Sequence, residues 1–188
     1  SGAGVEERRP LDLPADALDA IGLWAARLGG AEATHIAYAG AAVEAAARPG
    51  HVCPWVPVAI TDLPDAVAEA EARGAFALDL FARDPALDAA QTPHIGLRLA
   101  GRGLIPGTAL TIDLSDRPML TYDAARLSPA MADLLARRLE ALAHGDRAPM
   151  PETERKLVTE AWNRTDTPYD ARPLHRLIAT QITKTPNA

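Results

Sequence analysis

Between His94 and Gly145 the hydrophobic period changes from two to about three and a half, and this change constrains the fold more than any other feature of the sequence. Three strand-like pieces come first: His94 to Ala100, Thr108 to Leu114 and Pro118 to Tyr122. The first two alternate apolar and polar residues, as half-buried strands do. Gly101, Gly103 and Gly107 punctuate the first connection and Asp116-Arg117 turns the second, which predicts a meander. A helix follows at once. Ser128 is placed to cap it, Pro129 suits its first turn, and Met131, Leu134, Leu135, Leu139 and Leu142 form its apolar stripe. Gly145 stops it. A sheet with one apolar face and a helix with one apolar stripe must cover each other, so the chain is expected to be a layered α/β domain.

The upstream half is consistent with such layers. Glu7 to Leu13 predicts a short edge strand, because Pro10 fits a central strand poorly. Pro14 then opens a helix with apolar positions Leu18, Ile21, Trp24, Ala25 and Leu28, ended by Gly29-Gly30. The alanine-rich stretch from Ala33 to Ala47 predicts a second helix, and Trp55 to Ile60 a buried strand. A long helix is expected from Leu63 to Arg83, weakened at Gly74 by about 1 kcal/mol relative to alanine.

After Gly145 the character changes. Pro149, Met150 and Pro151 form a break, so the expected division is a body of residues 1–148 and an appendage of residues 149–188. The appendage predicts a short helix from Glu152 to Trp162, a polar connection, and a last amphipathic helix from Leu174 to Lys184. Charge divides in the same place. Residues 151–188 carry 6 basic and 5 acidic side chains, whereas the first 150 carry 13 and 20. An acidic body argues against nucleic acid as a partner, since phosphate binding needs a basic face. The absence of any apolar run of about 18 residues argues against a membrane partner. A single cysteine, Cys53, permits no internal disulfide and fits a cytoplasmic protein.

No constellation of catalytic residues stands out. The five histidines, His35, His51, His94, His144 and His175, are isolated from one another. His144 falls at a helix C-terminus, where a partial positive charge is favourable. His51 and Cys53 form a single H-x-C without the two further ligands that zinc needs, and Cys53 reads as a small buried hydrophobe. None of the three serines, Ser1, Ser115 and Ser128, lies in a nucleophile elbow. The glycine-rich stretch from Gly101 to Gly107 lacks the Lys-Ser/Thr ending of a phosphate loop and reads as a plain connection.

The appendage carries an ordered series: Glu154-Arg155, Leu157-Val158, Trp162-Asn163-Arg164-Thr165, Tyr169, Leu174-His175-Arg176-Leu177-Ile178, Gln181 and Thr185-Pro186-Asn187-Ala188. This series resembles the linker that joins a condensation domain to an adenylation domain in non-ribosomal peptide synthetases, with Ile178 where the family usually has an aromatic residue. More faintly, Leu11 to Gly30 with Thr34, Val58 to Asp84, and Leu110 to Ala143 resemble the C-terminal lobe of a condensation domain. The resemblance implies half of a chloramphenicol-acetyltransferase-like fold, a mixed sheet with packed helices, followed by an extended helical linker. It also implies interface roles for Trp162, Asn163, Thr165, Tyr169, Leu174, His175, Leu177 and Gln181, with an adjacent adenylation domain as partner and a carrier protein or tailoring enzyme as further candidates. The family's catalytic His-His-x-x-x-Asp-Gly has no counterpart here, because the sequence contains neither a His-His nor an Asp-Gly pair. The expected protein is therefore a shortened, non-catalytic lobe that needs no cofactor and acts as scaffold or docking surface. The alternative is the C-terminal half of an active condensation enzyme, forming peptide bonds between carrier-bound thioesters once an N-terminal lobe is supplied.

Overall fold

The computed structural model describes residues 5–29, 35–77, 93–146, 155–164 and 174–185. The chain divides into two compact units, Ser1–Pro151 and Glu152–Ala188. In the first unit six strands form one mixed sheet: β1 (Glu6–Pro10), β2 (His35–Ala39), β3 (Val56–Ala59), β4 (Ile95–Arg98), β5 (Leu110–Asp113) and β6 (Met119–Asp123). Their spatial order is β1-β6-β5-β4-β2-β3. The pairs β2–β4 and β4–β5 are parallel, and the rest are antiparallel. Among the described residues, four helices accompany the sheet: α1 (Leu18–Gly29), α2 (Ala41–Ala46), α3 (Leu63–Arg73) and α4 (Pro129–Ala143). The first unit is thus an α/β structure with packed helices.

The strands alternate between two different environments. Ile36, Tyr38, Val56, Val58, Leu97, Leu110, Ile112, Leu120 and Tyr122 share the main core with Ile21 and Trp24 of α1, Leu63 and Val67 of α3, and Leu135 and Leu139 of α4. Trp24 is fully enclosed, and its indole N–H donates to the Leu135 carbonyl across 3.1 Å, tying α1 to α4. The other side of the sheet is covered by a connection from Leu99 to Ala109, whose Ile105 is completely buried beside Ala37, Ala39, Cys53 and Trp55. That connection lies close to the sheet because residue 96 is glycine. A Cβ there would stand 2.7 Å from Thr111 Oγ1 and 3.0 Å from Ile105 Cδ1.

Several local expectations are corrected by long-range packing. The stretch expected to be a helix from Ala33 to Ala47 contains the strand His35–Ala39 followed by the short helix Ala41–Ala46. Ile36, Ala37, Tyr38 and Ala39 are all buried, so both faces of this strand are covered, and sheet burial overrides alanine's preference for helix. Helix α1 begins at Leu18, not at Pro14. Helix α3 ends at Arg73 instead of Arg83, because Gly74 takes an extended conformation and caps it, donating to the Ala70 carbonyl. Residues 78–83 of the expected longer helix lie outside the described residues. The three consecutive strands β4, β5 and β6 are not a meander. Only β5–β6 is a hairpin, and β4–β5 is parallel because the connection from Leu99 to Ala109 returns the chain to the other end of β4.

Helix α4 starts as expected, with Ser128 Oγ accepting from the Met131 N–H. Its buried stripe is Ala132, Leu135, Ala136 and Leu139, whereas Met131 is exposed and Leu134 and Leu142 are only half-buried. Strand β1 is an edge strand, and α4 holds it through charge. The Arg9 guanidinium pairs with both carboxylate oxygens of Glu140, at 2.7 and 3.2 Å, and with Asp133 at 2.9 Å. The Asp12 N–H donates to Glu140, and His144 Nε2 lies 3.2 Å from the Asp12 carbonyl oxygen.

Candidate interaction site

The second unit carries the residues that the sequence singled out. It has two described helical pieces: a turn at Leu157–Ala161, and α5, Leu174–Lys184. The turn is of the wide π type, closed by the Trp162 N–H donating to the Leu157 carbonyl at 2.9 Å. Asn163 completes it, because its side-chain Nδ2 donates to the carbonyls of Val158, at 2.8 Å, and Thr159, at 3.3 Å. These are carbonyls that a helix end leaves without intrahelical partners. The amide of Asn163 therefore turns inward, and the indole of Trp162 stands 68% exposed.

In α5, Thr180 and Thr183 bond back to the carbonyls of Arg176 and Ala179, at 2.8 and 2.9 Å. Gln181 closes the helix end. Its carbonyl accepts from the Thr185 N–H and hydroxyl, and its amide donates to Thr185 Oγ1 at 3.3 Å. Ile178 and Ile182, one turn apart, are 51% and 63% exposed, and His175 is exposed beside them. Thr165 and Tyr169 lie outside the described residues, as do the side chains of Leu174 and Leu177.

The first unit contributes two further features that the sequence did not signal. At the carboxyl ends of the parallel strands, Arg98 is buried and satisfied. Its Nε donates to the Gly103 carbonyl at 3.2 Å and Nη1 to Ala100 at 3.0 Å, and the same Nη1 pairs with Glu44 of α2. Glu6 accepts from the Leu104 N–H. Burial alone would raise the Glu6 carboxyl, but its bonds to Arg8 and Leu104 and the fields of Arg8 and Arg98 leave it below the usual range. Nearby, Glu71 accepts from the Tyr38 hydroxyl at 2.9 Å and from the Ala42 N–H at 3.1 Å. Burial first, and then the Glu71 carboxylate, push the Tyr38 hydroxyl strongly up, so it stays a neutral donor. These groups satisfy one another and close the loops they sit on. The second feature is an open, mostly apolar groove of about 400 Å³ between β3 and α3, lined by Val56, Val58, Ala66, Ala70 and Phe76, with Glu69 and Arg73 at its rim.

Cys53 is buried in the smaller core cluster, and burial pushes its thiol up. Among the described residues, no group of three or more His, Cys, Asp or Glu side chains is placed to hold a metal ion. No described helix is long and apolar enough to cross a membrane. The chain matches no protein-family model and no curated protein.

Proposed function

We propose that this chain is a shortened condensation-like lobe with its linker, working as a scaffold and docking surface beside an adenylation domain of a cytoplasmic non-ribosomal peptide synthetase. Residues 1–148 form the lobe, and residues 149–188 present the contact residues. One observation carries the reading. Of the seven large hydrophobic side chains that stand exposed among the described residues, four fall in the second unit: Leu157, Trp162, Ile178 and Ile182. Apolar side chains concentrated on so short a segment mark a surface that another protein covers. Three of them, Leu157, Trp162 and Ile178, belong to the ordered series that resembles the condensation-to-adenylation linker. The six-stranded mixed sheet with packed helices is compatible with a chloramphenicol-acetyltransferase-like lobe.

The role is structural in this reading, and the charged groups of the body that the fold encloses or half-encloses, Arg98, Glu44, Glu71 and Arg9, are occupied with one another, with other side chains or with the backbone. The test is calorimetric titration of the full chain against the adenylation domain of its synthetase, its carrier protein and any neighbouring tailoring enzyme. Micromolar or tighter binding to one of them, lost in Trp162→Ala, is the expected result. Absence of binding to all three would remove the docking role. Appearance of peptide-bond formation on adding an N-terminal condensation lobe would replace it with the half-enzyme alternative.

A further inference from the structure

We draw no further inference here: the strongest candidate, the open apolar groove between β3 and α3, has one acid and one base at its rim, Glu69 and Arg73, and nothing in the structure shows what covers it.

Discussion

Replacing Arg98 by methionine isolates the group that holds the connection from Leu99 to Ala109 over the sheet. The substitution keeps an unbranched apolar stem and removes the guanidinium. Three interactions go with it: bonds to the carbonyls of Gly103 and Ala100 and the ion pair with Glu44. Each neutral acceptor that loses a buried donor costs about 1 kcal/mol. The ion pair has one enclosed member, since the Arg98 side chain is 7% exposed and that of Glu44 is 32% exposed. Glu44 can therefore recover water when its partner disappears, and its loss adds about 1 to 2 kcal/mol rather than the full cost of stranding a buried charge. The sum, about 3 to 4 kcal/mol, is reduced by about 1 kcal/mol as the methionine buries its thioether.

Urea unfolding should read this as a midpoint lowered by roughly 1 to 2 M, for a slope of about 1–3 kcal/mol per molar. Amide exchange adds a local reading, because the Ile105 N–H donates to Thr111 Oγ1 only while the connection stays down. Its protection should fall further than that of the sheet amides. Glu44→Gln is the control and should cost under about 1 kcal/mol, because Arg98 keeps its carbonyl partners. If Arg98→Met shifts the midpoint by less than about 0.3 M, or if Glu44→Gln costs as much, the connection is held by Ile105 packing and the reasoning fails.

Other substitutions probe the remaining parts of the fold. Thr121 is buried on β6, and its hydroxyl has no hydrogen-bond partner, so Thr121→Val should stabilise by about 1 kcal/mol; a lower thermal midpoint would show that the hydroxyl is satisfied after all. Gly96→Ala pushes a methyl against Thr111 and Ile105 and should cost about 1 to 3 kcal/mol by denaturant titration, whereas an unchanged midpoint would mean the connection has room to lift. Burial tends to raise the Asp133 carboxyl, but Arg9 and Arg137 outweigh it and hold it below its ordinary value of 3.8. A depressed carboxyl stabilises the fold above its unfolded pKa, and that contribution is lost as pH falls through the lower folded value. Stability should therefore decline below about pH 4. The decline should be smaller in Arg9→Met, and identical acid profiles for the two proteins would refute the linkage.

How much of this was legible in the sequence depends on the range of the forces involved. The cap at Ser128 and the boundaries of α5 rest on contacts within a few residues, and they appear where the sequence places them. The alternation in Leu110–Asp113 marks a strand but not a half-buried one, because all four residues are buried once both faces of the sheet are covered. Asn163 is a local device too. It satisfies carbonyls four and five residues back, a role readable from its place after a short helix although not from composition. The exposure of Trp162 and Ile178 is different, since an apolar residue carries no mark of whether something covers it.

The sequence by itself determined the layered α/β character, the helical tail and the change of character after Gly145, because hydrophobic period and turn chemistry act over one or two turns of chain. Tertiary structure alone decided that His35–Ala39 is a strand, that β4 and β5 run parallel, and that Met131 faces water while Ala132 and Ala136 fill the core. Five residues rich in alanine satisfy a helix or a buried strand equally well. Only pairing with β3 and β4, and burial of one face in the helix-covered core and of the other under the connection, resolves the choice.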